Sequence, residues 1–350
     1  MYILGIETSC DETAASVIRA NRSSDKLRVL SNVISSQISI HKKYGGVVPE
    51  IAAREHVLNI LPVISEALEV AKIKPAQLEA IGVTKGPGLV TSLLTGLETA
   101  RSLAYAWHKP LIEVNHIAGH IYANFINNKG SKISFPAIIL TVSGGHTTLL
   151  HMDEKEKIKI IGDTRDDAAG EAFDKAAKMM EIGYPGGPQI SIRAAKHKDY
   201  LLKKTKKSHI TLPRPMLNSP DYDFSFSGLK TALLYQLKND KTWKRKINEY
   251  CYEFQQAVLD VLIAKAVRAA TRFDAKTLML TGGVSANSEL REQMAAAVSK
   301  NLKNTDFLVP NREYTTDNAA MIATAAFYLL KKGKIVNYKD IRVDAGLQLK

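Results

Sequence analysis

The sequence predicts an α/β fold built as two related lobes, and three observations carry that expectation. A strand, small polar turn and strand over residues 2–18 are restated about 135 residues later, over 137–150. Apolar runs of strand length alternate with longer stretches whose apolar residues recur at three- and four-residue steps, as strands interleaved with helices do. The chain has 350 residues, 45% of them hydrophobic, more than one ordinary core holds. The first lobe is expected over residues 1–130 plus about 315–350, and the second over 131–314.

Taken in order, Tyr2–Thr8 and Thr13–Ile18 are apolar arms around the turn Ser9-Cys10-Asp11-Glu12. A third strand is expected near Leu27–Ser35, then a helix from about Pro49 to Val70. Pro49 suits a helix start, whereas Pro62 should kink or divide the helix. Leu78–Thr84 reads as a buried strand running into Lys85-Gly86-Pro87-Gly88 and a helix over Thr91–His108. Leu111–Asn115 is a short buried strand. Behind it, Asn115-His116-Ile117-Ala118-Gly119-His120 places two histidines four apart, on one helix face about a turn apart, where both imidazoles can reach one ion. Such a site needs a third ligand and an open position.

The second lobe begins with Ala137–Val142, the turn Ser143-Gly144-Gly145-His146 and Thr147–Leu150, and Lys157–Ile161 continues the sheet. The uncharged stretch Ser134–Met152 is long enough to span a membrane, but this central turn makes it a hairpin. Asp166–Met180 is expected as a helix capped by Asp166 or Asp167, with Phe173 and Met179 in the core. Tyr184–Pro188 reads as a rigid loop and Pro213–Pro220 as proline-rich loop. Asp223–Gly228 leads into a short helix. Apolar residues at helical steps predict a long helix over Ile247–Phe273. Thr277–Thr281 is a buried strand ending at Gly282–Asn287, Phe307–Pro310 a last strand, and Tyr314–Asn318 the approach to an alanine-rich helix ending near Leu330. The tail after Asn337 gives no clear signal.

Only two cysteines, Cys10 and Cys251, exclude a disulfide framework and a cysteine-rich zinc site, and they fit a reducing, cytoplasmic compartment. Glu7, Asp11 and Glu12 interrupt any signal-peptide core. A net charge of +13 favours a polyanionic partner, and the densest basic clusters, Lys203–Lys207 and Lys238–Lys246, both fall in the second half.

Three small-residue turns, at 8–12, 143–146 and 282–287, each end an apolar strand. Together they look like the two phosphate loops and the adenosine loop of the actin, Hsp70 and sugar-kinase superfamily, which implies a nucleotide and metal site in the cleft between two lobes. Asp317 is the candidate third metal ligand, although Thr316 or Asp317 would also make a good N-cap for the helix that follows. Two histidines and a carboxylate leave open positions on Fe(II) or Zn(II). A zinc peptidase is disfavoured because Ile117 stands where His-Glu-x-x-His requires its glutamate. An ATP-dependent small-molecule kinase leaves the paired histidines unexplained, and a non-enzymatic scaffold leaves the whole ligand set unexplained.

The residues Gly5–Thr13, Lys85–Gly88, Asn115–His120, Val142–Thr147, Asp167–Lys175, Tyr184–Gly187, Phe224–Lys230, Gly282–Asn287 and Thr316–Asn318, in this order, resemble the bacterial and organellar branch of the tRNA N6-threonylcarbamoyladenosine transferase family. The resemblance implies transfer of a threonylcarbamoyl group from threonylcarbamoyl-adenylate to N6 of the adenosine 3′ of the anticodon, at tRNA position 37. It implies one divalent metal per subunit, Fe(2+) in preference to Zn(2+), on His116, His120 and Asp317. Thr141, Val142, Ser143, Gly144, Gly145, Asp174, Gly187 and Asn287 would contact the adenylate. A non-catalytic paralogue and a small P-loop ATPase would be partners, with no membrane. Many relatives are acidic near position 191, where this chain has Ser191. Asp11 or Glu12 is the candidate acceptor for the N6 proton, the alternative being that these turn residues beside a phosphate site only order the loop.

Overall fold

The structure, a computed structural model, describes residues 1–23, 26–126, 133–204 and 208–349. The chain divides into two compact units, Met1–Lys132 with Pro310–Lys350, and Ile133–Val309. In chain order the first unit contributes β1 (Tyr2–Glu7), β2 (Glu12–Ala20), β3 (Leu27–Ser36), α1 (Ile38–His41), α2 (Pro49–Ala71), β4 (Leu78–Gly86), α3 (Val90–Trp107), β5 (Leu111–Asn115) and α4 (His116–Tyr122). The second unit contributes β6 (Ala137–Val142), β7 (Thr147–Met152), β8 (Ile158–Asp163), α5 (Ala169–Met179), α6 (Gly186–Lys204), α7 (Ser227–Asn239), α8 (Ile247–Arg272), β9 (Thr277–Thr281), α9 (Ser288–Asn301) and β10 (Asp306–Leu308). The chain then returns to the first unit with α10 (Ala319–Lys331).

The first sheet runs β3-β2-β1-β4-β5, with β1–β2 and β2–β3 antiparallel and β1–β4 and β4–β5 parallel. The second runs β10-β9-β6-β7-β8 with the same alternation of antiparallel and parallel pairs. Each unit therefore repeats one topology: a hairpin, a third strand, and two strands added in parallel on the far side. In such sheets ligands collect beyond the carboxyl ends of the parallel strands. In the first unit those ends deliver the turn after Glu7, the turn at Gly86 and the helix at His116. In the second they deliver the turns at Ser143 and Gly282.

Alanine-rich α10 packs closely on β1 and β4, because Gly5 and Gly82 face it. A Cβ on Gly5 would stand 2.3 Å from the Ala319 carbonyl oxygen and 2.6 Å from the Ala323 nitrogen. This close packing carries the start of α10, and Asp317 just before it, toward the end of β1. In the second unit α8 is the central helix, packed against α6, α9 and β6, with Cys251, Phe254, Val258, Val261 and Leu262 all buried.

Several expectations need correction. Helix α2 runs unbroken through Pro62, which is exposed, as is Leu58, the residue whose carbonyl loses its partner. Solvent can satisfy that oxygen. Helix α5 begins at Ala169 without a side-chain cap. Asp166 instead accepts hydrogen bonds from the backbone N–H groups of Phe226 and Ser227, at 2.7 and 3.2 Å, at the start of α7. Asp167 pairs with Lys175 and Lys230. The loop expected over Tyr184–Pro188 is cut short, because α6 starts at Gly186, and β10 is only three residues long.

The tail after Asn337 is part of the first unit. The Asp344 N–H donates to the Lys85 carbonyl (3.0 Å), Gly88 N–H donates to Ala345 (3.3 Å), and Asn115 Nδ2 donates to Leu347 (3.3 Å). Residues 205–207 of the Lys203–Lys207 cluster lie outside the described residues. In the other basic cluster Lys244 pairs with Glu181 and Lys246 with Asp240. Ser134–Met152 forms the β6–β7 hairpin, and no helix among the described residues is long and apolar enough to cross a membrane.

Candidate functional site

Helix α4 is nucleated by its own first motif. Asn115 ends β5, and its side-chain oxygen accepts from the N–H groups of Ile117 (2.8 Å) and Ala118 (3.1 Å), so the helix begins at His116. His116 and His120 consequently share a face, with ring centroids 4.7 Å apart and planes at 81°. They are only 7% and 1% exposed.

Asp317 completes the group. Its Oδ1 lies 3.2 Å from His120 Nε2 and 3.6 Å from His116 Nε2. Ligand atoms of the three residues all lie within 4.8 Å of one another. The cap of α10 is neither Thr316 nor Asp317 but Asn318, whose side chain accepts from the Met321 N–H at 3.1 Å. That correction leaves the Asp317 carboxylate facing the histidines rather than its own helix.

Beneath His116 sits Glu7, fully buried and absent from the sequence reading of the site. Its Oε2 lies 3.1 Å from His116 Nδ1 and accepts from the Thr84 hydroxyl at 2.6 Å, while Oε1 accepts from the Ser9 N–H at 2.5 Å. Burial alone would raise this carboxyl, but the charge and hydrogen bond of His116, with the bond from Thr84, hold it below the usual carboxylate range. Burial would lower the His116 imidazole, but the charge of Asp317, then the charge and hydrogen bond of Glu7, raise it to about 9. An ionised Glu7 can only accept, so Nδ1 carries a proton; the raised imidazole holds a second proton on Nε2, facing Asp317, and loss of that proton frees Nε2 for an ion. A carboxylate behind a ligating imidazole is the usual outer support of a metal-bound histidine. Two imidazole nitrogens and one carboxylate oxygen fit a divalent metal with positions left open.

Asp11 lies in the turn between β1 and β2, and Glu12 opens β2. Asp11 is buried, and Glu12 accepts from the Ser36 hydroxyl at 3.2 Å. Burial, then the neighbouring charges of Asp317 and Asp11, push Glu12 up to about 10.

The remaining site candidates lie in the second unit. Thr141 and Val142 are buried at the end of β6. Ser143 closes the hairpin, its N–H donating to the His146 carbonyl (2.8 Å) and its hydroxyl accepting from the His146 N–H (3.1 Å). Gly144 and Gly145 are exposed at its tip, with nothing within 4 Å of where a Cβ would stand. The Gly170 N–H, at the start of α5, donates to Ser143 at 3.1 Å and fixes the helix against the turn. Further along α5, Asp174 accepts from the Gly186 N–H at 2.6 Å, which pins the start of α6 and places Gly187 beside it. Asn287 caps α9, accepting from Leu290 N–H (3.0 Å) while its Nδ2 donates to Gln255 (2.8 Å). The segment Gly283–Ala286 packs against α5, β6 and β9, so the two turns and α5 form one neighbourhood. Sequence reasoning missed Glu7, Thr84 and His56, which contacts the turn bearing Asp11. The available signal was a lone charge ending the apolar strand β1.

Comparison with known proteins agrees with this architecture. A family model described as tRNA N6-adenosine threonylcarbamoyltransferase matches residues 28–324. A protein of that description from Syntrophomonas wolfei is 46% identical over 93% of this chain and 91% of its own. One from Bacillus subtilis is 45% identical over 100% of this chain and 96% of its own. Among solved structures, HypF from T. kodakarensis is similar with a TM-score of 0.61 and 15% identity, covering 98% of this chain and 49% of that one, a likeness of fold.

Proposed function

The chain belongs to the tRNA N6-adenosine threonylcarbamoyltransferase family, and from that premise we propose how its residues divide the reaction. Its fold is that of the actin, Hsp70 and sugar-kinase superfamily, and the enzyme is an acyltransferase. It transfers the threonylcarbamoyl group of threonylcarbamoyl-adenylate to N6 of adenosine 37 in tRNAs reading codons that begin with A. The N6–carbonyl bond forms, the bond from the carbonyl carbon to the adenylate oxygen breaks, AMP leaves with the electron pair, and N6 gives up one proton.

In our reading His116, His120 and Asp317 hold one divalent metal per subunit, iron(II) in preference to zinc(II). Such an ion supplies a Lewis acid for charge developing on carbonyl and phosphate oxygens. Thr141–Gly145, Asp174, Gly187 and Asn287 hold the adenylate. The exposed Gly144–Gly145 tip gives a phosphate close access to backbone N–H groups, and Asp174 suits ribose hydroxyls. The side chain of Asn287 is occupied as a cap, so its own contribution is to place the Gly283–Ala286 segment. Asp11 takes the N6 proton, or Glu12 does once its own proton, held by burial and the charges of Asp317 and Asp11, has been displaced.

The observation that carries this reading is the convergence of two helix-spaced imidazoles and a carboxylate from the far end of the sequence, with Glu7 supporting the first imidazole. A kinase of the same fold has no use for that set. The test is mass spectrometry of tRNA nucleosides after incubation with threonylcarbamoyl-adenylate and partner proteins. The modified nucleoside should form with this protein and be lost with His116→Ala. Equal product from both would remove the metal assignment.

We further assign as partners a non-catalytic paralogue and a small P-loop ATPase, acting in the cytoplasm. The outer face of α2 supports a docked paralogue, because Val57, Leu58 and Leu61 are more than 60% exposed there. The basic clusters of the second unit would contact tRNA phosphates.

A further inference from the structure

We propose that His56 is a positioning residue that holds the Cys10–Glu12 turn in place for proton removal from the attacking amine. This inference rests on the reading of Asp11 and Glu12 given above. His56 lies on α2, is fully buried, and is not one of the residues of the candidate metal site. Its Nε2 lies 3.0 Å from the Cys10 carbonyl oxygen and its Nδ1 2.8 Å from the Thr13 hydroxyl.

A carbonyl only accepts, so Nε2 bears the hydrogen and Nδ1 accepts from Thr13. One neutral tautomer satisfies both bonds, and burial favours the neutral form by lowering the imidazole's proton affinity. The ring thus grips the two residues that flank Asp11 and Glu12. Other groups brace single points of the turn. Leu89 N–H donates to Ser9 (2.8 Å), Ser92 hydroxyl to Cys10 (3.3 Å) and Gln37 N–H to Asp11 (3.0 Å). Among the described residues, His56 is the side chain with hydrogen bonds on both sides of the acidic pair. A displacement of about 1 Å at a reacting group can cost on the order of a hundredfold in rate, so such a clamp acts on chemistry rather than on binding.

Cys10 gives a readout independent of catalysis. It lies within the turn and is partly exposed, whereas Cys251 is buried in α8 and reports general unfolding. The variants are His56→Phe, which fills the space without hydrogen bonds, Thr13→Val, which removes one bond, and His56→Gln, whose amide can donate to Cys10 and accept from Thr13. Iodoacetamide labelling of both cysteines is followed by peptide mass spectrometry, and kcat and KM for tRNA are measured on the same samples with the partner proteins.

The expected result for His56→Phe is Cys10 labelling faster by about fivefold or more, with Cys251 still protected. Its kcat falls by about tenfold or more and KM for tRNA stays within about twofold. Thr13→Val should move both readouts in the same direction by less, and His56→Gln should restore them. If Cys251 becomes labelled in His56→Phe, Thr13→Val decides. Unchanged Cys10 labelling in Thr13→Val, or faster labelling with unchanged kcat, would overturn the proposal. Absence of transferase activity in the unaltered protein would instead overturn the functional reading, and the labelling would still judge the clamp.

Discussion

Glu7 and His116 form a buried pair in which the carboxylate oxygen lies 3.1 Å from Nδ1, on the side of the ring away from Asp317. The pair fixes which imidazole nitrogen is left to bind an ion. Glu7→Gln keeps the volume and removes the charge. It should weaken divalent-metal retention by about 10- to 100-fold while the protein stays folded, as read by competition with a chelator. Retention equal to that of the unaltered protein would remove Glu7 from the centre.

Adjacent residues at the head of α10 should separate two roles. Asp317→Ala is expected to abolish stoichiometric metal binding, measured by elemental analysis, with little change in melting temperature of the metal-free protein. Asn318→Ala should cost about 1 kcal/mol of stability through the lost cap, with the metal still bound. The reverse pattern would mean that Asp317 serves its helix.

Gly5→Ala should destabilise the first unit by about 3 kcal/mol, because the new Cβ meets backbone atoms of α10 at 2.3 and 2.6 Å rather than a side chain able to move. Denaturant titration measures this, and a loss under about 1 kcal/mol would show that α10 shifts away freely.

Asp166 yields a pH-dependent expectation. Burial opposes its ionisation, yet the hydroxyls of Ser225 and Ser227 and the N–H groups of Phe226 and Ser227 hold its carboxyl below the usual range. A depressed folded value means the contribution is present above the unfolded value of about 3.9 and fades as pH falls through the folded one. Asp166 is exposed and solvent screens its contacts, so Asp166→Ala should cost less than about 1 kcal/mol near pH 7, and the gap should close progressively below about pH 4. A gap constant down to about pH 2 would contradict this.

Lys238, Lys241 and Arg245 lie in the second basic cluster, whose Lys244 and Lys246 are already paired with carboxylates. Reversing those three charges should weaken tRNA binding and reduce the slope of log affinity against log salt by about 2 to 3. Filter binding at several salt concentrations checks it, and an unchanged slope would exclude this face from the contact.

Much of this molecule was legible from periodicity. The repeated hairpins and the histidine pair follow from fixed repeats of strand and helix, and the structure delivers both. Asp317 was readable only as one of two alternatives, because a carboxylate before a helix looks the same whether it caps or points elsewhere, and Asn318 decided the matter. Glu7 was hidden because its importance lies in a contact across 109 positions. Asp166 misled for a related reason, since a residue just before one helix can serve the start of another. Pro62 misled in a third way, since the sequence shows the missing N–H but not which face of the helix it falls on.

The first unit is interrupted in sequence by the whole of Ile133–Val309. During synthesis, both histidines leave the ribosome long before their carboxylate partner, and before the residues at 344–347 that tie down Lys85, Gly88 and Asn115. At translation speeds of about 5–20 residues per second, the intervening segment takes on the order of 10–40 s to emerge. The later unit can fold while the earlier one waits for its last segment, so under the proposed ligand set metal capture belongs to the finished polypeptide, and chains cut short before α10 should bind no stoichiometric metal.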